Sequence, residues 1–309
     1  MKRRDFITKG VGAGIVAGSA ASFAGIGNVL AGGQQGDTGK PYDLVAVRGG
    51  EPAQMFDLAM EAAGGMAKYV KKGQTVVVKP NIGWDVTPDR GANTNPHVVK
   101  RIVEHCFQAG AKQVYVFDNT CDKWDMCYKN SGIEKGVKDV GGQMVPGHTE
   151  SYYHEVPVVK GKSLKTTKVH ELILESDVFI NVPVLKHHGS ARLTIAMKNL
   201  MGVVWDRRYW HKNDLHQCIA DYCTFHRKPD LNVVDAYRVM LRNGPRGVSV
   251  DDIADMKSLM VSEDMVAVDA AAALLFGEEP SEINYIRIGD EMGIGTSDLS
   301  KLNIKRIRV

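Results

Sequence analysis

Apolar positions change period several times along the chain, and the changes lay out its elements. The run DLVAVRGG at 43–50 reads as a short strand. Residues 52–70 place Met55, Leu58, Ala59, Ala62 and Met66 on one helical face, with Pro52 in the first turn. TVVVKPN at 75–81 is a continuous apolar run, the pattern of a strand covered by helices on both faces. A polar loop over 82–94 follows, long enough to form a lid or rim. Asn95 then reads as an N-cap with Pro96 at the first helical position, where a missing N–H costs nothing. Val98, Ile102, Val103, Cys106 and Phe107 give that helix its apolar stripe, Gly110 closes it, and AKQVYVFD is a third strand ending in Asp118.

Strand, helix, strand, helix, strand in this order points to an α/β fold with a doubly wound, mostly parallel sheet. Further on, the pattern predicts a helix over 131–140, a short strand over 143–145 and a β-hairpin insertion around Gly161 over 154–170. DVFINVP at 177–183 is the expected central strand and runs into Lys186, His187 and His188. The remainder reads as a helix over 214–225, a strand over 230–235 ending in an acid, a turn or anion-approach loop NGPRG at 243–247, and a strand over 258–262. Helices over 265–276 and 281–292 and an alternating edge strand over 302–309 complete it. The predicted organisation is a single α/β domain over 42–309, preceded by a Gly-rich linker over 32–41.

The first 31 residues differ in kind. Adjacent Arg3 and Arg4 precede Phe6 and Ile7, an uncharged Gly/Ala-rich run follows, and small residues end it near Ala31. This is the pattern of a twin-arginine signal, which implies the Tat export machinery as partner and a periplasmic or exported location. Left uncleaved, the same run would act as a membrane anchor. The segment contains Lys2, Arg3, Arg4 and Lys9 against Asp5, so its removal takes 39 basic and 36 acidic residues to 35 of each. A neutral mature chain gives no support for a nucleic-acid partner.

In open α/β sheets, ligands bind beyond the carboxyl ends of the strands. Lys79 and Asn81, Asp118, Lys186 with His187 and His188, and Asp235 all fall at predicted strand ends, so together they outline a candidate site for a small anion. Lys186 and Lys198 suit a carboxylate or phosphate as point charges, with Lys79, Asn81 and Asn199 as further binding residues. His188 and His216 are candidates to move a proton or ligate a metal. Asp118 and Asp235 are candidates to bind a metal, act as general base or orient Lys186. No G-x-G-x-x-G or Walker A run occurs. Of five cysteines, Cys121 and Cys127 flank a tryptophan loop, and Cys218 and Cys223 share a predicted helix with His216. Their spacings fit no standard zinc or ferredoxin pattern, leaving open a divalent metal, an iron–sulfur cluster, a Cys121–Cys127 disulfide or free thiols.

VVVKPN, VYVFDN, the block from LKHHG to KNLMG, LHQCIADY and PDLNVVDAYRVMLRNGPRG follow one another in an order and spacing that resembles the domain-of-unknown-function family numbered 362. The positions that match its pattern are Lys79, Pro80, Asn81, Asp118, Lys186, His188, Lys198, Asn199, His216, Asp235 and Gly244. Many relatives carry a ferredoxin-like segment with closely spaced cysteines, which this chain lacks. Three functions remain in play: an exported enzyme acting on a small anion, with or without the assistance of a metal; an iron–sulfur or other metal-binding redox protein; and a non-catalytic periplasmic binding or assembly protein.

Overall fold

The computed structural model describes residues 41–309, so the twin-arginine pattern of 1–31 and nearly all of the linker lie outside the described residues. Twelve strands occur among them: β1 Leu44–Arg48, β2 Thr75–Pro80, β3 Gln113–Val116, β4 Gln143–Met144, β5 Tyr153–Pro157, β6 Thr166–His170, β7 Val178–Val182, β8 Val184–His188, β9 Arg192–Thr194, β10 Leu231–Met240, β11 Ile253–Ser262 and β12 Ile304–Arg308. Ten of them form one sheet, in the order β12-β1-β11-β10-β7-β2-β3-β4, with β8 and β9 extending it from β10. From β10 to β4 every pairing is parallel; β11 runs antiparallel to both its neighbours, and β12 pairs in parallel with β1 at the edge. The predicted insertion is the separate antiparallel hairpin of β5 and β6.

The continuous apolar strands are buried on both faces because alternate residues feed two cores. Val76, Val78, Ile180 and Val182 point to one side, beneath the helices Pro52–Ala62 and Pro96–Gln108. Val77, Phe179 and Val234 point to the other, against the Ala-rich helix Met265–Phe276 and the helix Leu215–Tyr222. Alternation along a pleated strand is what lets one sequence serve both layers. Among the described residues no helix is long and apolar enough to cross a membrane.

Four expectations about element limits are corrected. The helix predicted over 52–70 stops at Ala62, because Gly64 and Gly65 take φ of 98° and 81°, a region that L side chains avoid and that ends a helix. The helix predicted over 131–140 is confined to Ile133–Lys138, and Gly132 at φ 74° separates it from a further helix, Trp124–Asn130, that the pattern did not predict. The strands predicted over 230–235 and 258–262 are the halves of a longer antiparallel pair, β10 and β11, so Asp235 lies within a strand and not at its end. The central strand also breaks: Pro183 offers no N–H to the ladder, and beyond it the chain leaves β2 and continues as β8 along β10.

Candidate functional site

From β2 the chain winds outward to β3 and β4 on one side, and it later places β7 and β10 on the other. Loops diverge at the carboxyl end of such a switch point and leave a crevice. Here the crevice is a cleft of about 390 Å³, and its lining includes Lys79, Asn81, Asp118, Lys186, His188 and Lys198.

A chain of buried amides sets the wall of this cleft. Asn232 on β10 donates from Nδ2 to the carbonyls of Ser262 and Glu263, each at 3.3 Å, which leaves its Oδ1 as an acceptor. Asn181 on β7 donates to that oxygen at 3.0 Å, Asn199 donates to Asn181 Oδ1 at 2.9 Å, and Asn81 donates to Asn199 Oδ1 at 2.9 Å. Each amide orientation fixes the next, because main-chain carbonyls at the root can only accept. Asn81 Oδ1 therefore faces the cleft as an acceptor, and Lys186 Nζ donates to it at 3.0 Å. Lys186 Nζ also donates to the carbonyl of Ala92, tying the loop after β2 to the site.

Lys79 and Asp118 form a buried ion pair at 3.0 Å, with side chains 1% and 3% exposed. Asp118 Oδ2 accepts from Ile82 N at 2.7 Å, and Lys79 Nζ also donates to Asn199 Oδ1 at 2.8 Å. Gly202 sits against this pair so closely that a Cβ there would overlap Asp118 Oδ1 and stand 2.5 Å from Lys79 Nζ. Glycine is therefore needed for contact, independent of backbone conformation. The other two lysines have no carboxylate partner among the described residues. Lys198 is only 8% exposed, and among the described residues its ammonium has no hydrogen bond or ion pair. It is placed by the short helix Ala196–Asn199, whose first two N–H groups donate to the fully buried carboxyl of Asp269 at 2.6 and 3.0 Å.

Burial dominates the electrostatics, since a charge removed from water is disfavoured. It pulls Lys186 down to about 7 and Lys198 to about 8, and neighbouring cations add to the effect, among them Lys198 on Lys186 and Arg207 on Lys198. Lys79 is lowered by burial too, against the opposing pull of Asp118. His188 falls to about 2 through burial and then the two lysines, and its Nδ1 accepts from Ser190 N at 3.2 Å and Ala191 N at 3.1 Å. The ring is thus neutral with its proton on Nε2, a hydrogen-bond donor. Lys186 and Lys198 are brought by burial to where each can gain or lose a proton near neutral pH.

Arg207 closes one side by donating to the carbonyls of Asn119 at 2.8 Å and Thr120 at 2.7 Å, and it stands 3.5 Å from Cys121 Sγ. The NGPRG loop contributes Pro245 to the lining, while Arg246 reaches Asp122 at 3.4 Å on the opposite loop. A larger groove of about 710 Å³ opens beside the cleft, between the β5–β6 hairpin and Trp205. Its Lys168 pairs with Glu150 at 2.6 Å and both are solvated, so it lacks the unpaired buried charge that distinguishes the cleft.

Of the residues singled out in the sequence, Lys79, Asn81, Asp118, Lys186, His188, Lys198, Asn199 and Cys121 come together in the cleft. Asp235 and His216 do not. Asp235 accepts from Asn95 N at 2.7 Å and Tyr237 N at 3.0 Å, anchoring the start of the helix Pro96–Gln108, and burial raises it to about 6. His216 lines a neighbouring pocket, which shares His188 and Ser190 with the cleft, and stacks on Tyr285 at 6.2 Å. The cysteines form no disulfide among the described residues: Cys127 is buried beside the Gly83 carbonyl, Cys218 donates to Asn213 O at 3.0 Å, and Cys223 is in the core. Among the described residues no three His, Cys, Asp or Glu side chains are grouped to hold a metal ion. Asn181, Asn232, Gly202, Arg207 and Asp269 join the site or its support without having been singled out in the sequence. Asn181 and Asn232 could have been found as lone amides inside the apolar strands FINV and LNVV; Arg207 carries no such signal.

The family described as "Domain of unknown function (DUF362)" matches residues 76–274, a span that takes in every residue of the cleft. The chain belongs to the DUF362 family. A thylakoid-associated protein of Synechocystis sp. (strain ATCC 27184 / PCC 6803 / Kazusa) is 24% identical over 252 residues, covering 76% of this DUF362 protein and 73% of its own length. Among solved structures, the lactate racemase apoprotein from Thermoanaerobacterium thermosaccharolyticum is similar at a TM-score of 0.48 and 14% identity, over 77% of this chain and 57% of that one. A protein from Thermotoga maritima is similar at 0.41 and 14%, over 64% and 53%. This chain thus spans little more than half the length of those two.

Proposed function

We propose that this DUF362 protein is an enzyme that binds a small anion, a carboxylate or phosphate, in the cleft at the switch point. The observation that carries the reading is Lys198: a lysine more than nine-tenths buried as a residue, lining a cleft, with no partner for its amine among the described residues. An unpaired buried charge is costly, and an anion in the cleft would supply the missing partner. Lys198 is the anion anchor, the His188 Nε2–H is a second donor, and Lys79 is held by Asp118 as part of the wall. Lys186 and Lys198 titrate in the range where they exchange protons with a bound acid or alcohol, which is the chemistry of a general base and acid. Export as a folded protein is part of the proposal and rests on the Arg3–Arg4 pattern.

Thermal unfolding of the purified protein with oxalate, lactate and phosphate, against chloride at matched ionic strength, tests the reading. Ligands that bind only the native state raise the midpoint with concentration. At least one of the three anions should do so, and Lys198→Met should abolish the effect. A midpoint that responds to ionic strength alone would refute anion binding.

A further inference from the structure

Lys186 differs from the other two lysines in how its nitrogen is held. A neutral amine has two N–H bonds and one lone pair around its carbon bond. Two acceptors are fixed on the wall beside Lys186 Nζ, the Ala92 carbonyl and Asn81 Oδ1, and the amide chain back to Asn232 prevents Asn81 from turning its donor inward. With both N–H bonds donated, the remaining tetrahedral direction belongs to the lone pair of a residue that lines the cleft. No carboxylate pairs with Lys186 among the described residues to hold a third proton in place. Lys79, with Asp118 at 3.0 Å, is held as a cation, and Lys198 has no acceptors among the described residues to orient it.

We infer that Lys186 is a nucleophile that forms an imine with a small 2-oxo acid or aldehyde acid, whose carboxylate is held by Lys198. This rests on the anion-site reading above and names its substrate class. The Lys186 nitrogen attacks the carbonyl carbon, the C–N bond forms as the C=O π bond opens, and the two amine protons leave with the former carbonyl oxygen as water. The neutral imine takes one proton from solvent to become the iminium. No oxidant, reductant or metal enters the balance. The iminium then withdraws electrons from the neighbouring C–H or C–C bond, so the site fits reactions that pass through a carbanion next to a carbonyl.

Titration supports what the geometry shows. A surface amine near 10.4 is neutral in about one molecule in 2,500 at pH 7, whereas one near 7 is half neutral, a preference on the order of 10³. The groups facing Lys186 electrostatically are Cys121 and Asp118, which favour its charge, and Lys198 and Lys79, which oppose it.

Cyanoborohydride reduction of the full protein with pyruvate or glyoxylate, followed by peptide mass mapping, tests this. The expected result is the reduced adduct on Lys186 in large excess over surface lysines, rising with pH through about 7 and suppressed by oxalate. Lys186→Arg should remove the adduct; mapping of the wild-type protein decides the matter even if that variant misfolds. If oxalate and pyruvate both stabilise the protein but no adduct forms on Lys186, the nucleophile is refuted and the anion site stands. If neither stabilises it and no adduct forms, both are refuted.

Discussion

Replacing Asp118 by asparagine removes one charge and almost no volume, and the structure bounds its cost. The introduced amide would have to keep its oxygen on Ile82 N, where Asp118 Oδ2 now accepts at 2.7 Å, so its NH₂ would face the Lys79 ammonium. Breaking one partner of a buried pair typically costs about 3–5 kcal/mol. Lys79 has an escape, however: it can lose its proton. At pH 7 that escape costs about 1.4 kcal/mol for each unit below an ordinary lysine value near 10.4, or about 4.6 kcal/mol as a ceiling. At pH 9 the same ceiling is about 1.9 kcal/mol. Asp118→Asn should therefore lower the unfolding free energy by about 3 kcal/mol at pH 7 and by less than about 2 at pH 9. Urea denaturation of both proteins at the two pH values measures it. A loss below about 1 kcal/mol at pH 7, or one that does not shrink with pH, would refute the claim that Asp118 serves to hold a buried lysine charge.

Lys198→Met should abolish anion binding yet raise stability by about 1–3 kcal/mol, since it removes a buried charge with no partner among the described residues, as denaturation with and without ligand would show. Anion affinity in the wild-type protein should fall as pH rises through about 8, where Lys198 loses its charge; calorimetry between pH 6 and 10 reads this. Asp235 is raised from 3.8 to about 6, so the folded state binds the extra proton in that window and stability should decline as pH rises across it. Asp235→Asn should remove that decline and leave anion binding intact, and loss of binding in this variant would return Asp235 to the site.

The sequence carried much of the fold because buried parallel strands have a loud signature: TVVVK and VFINV could hardly be anything else. It carried the cleft in outline too, since a lysine or aspartate at the end of such a strand must emerge at one edge of the sheet. Asp235 escaped this logic because AYRVM continues the strand beyond it, and its carboxylate accepts from the N–H of Asn95, the N-cap of the helix Pro96–Gln108. The neutral state of His188 was equally hidden, being set by burial beside Lys198 and Lys186, with its Nδ1 accepting from the N–H groups of Ser190 and Ala191 that follow it in the turn. So was the role of Asp269, which fastens the helix of Lys198 from 71 positions further along the chain and is visible only once the layers pack.

The central claim is that the cleft binds small anions through buried amines that titrate near neutrality. Calorimetry of oxalate binding at pH 8, in buffers of different ionisation enthalpy, tests it most directly. An anion favours the charged amine, so binding should be accompanied by net proton uptake, and Lys198→Met should lose both the binding and the uptake. Binding without proton exchange, or binding that survives in Lys198→Met, would contradict the account.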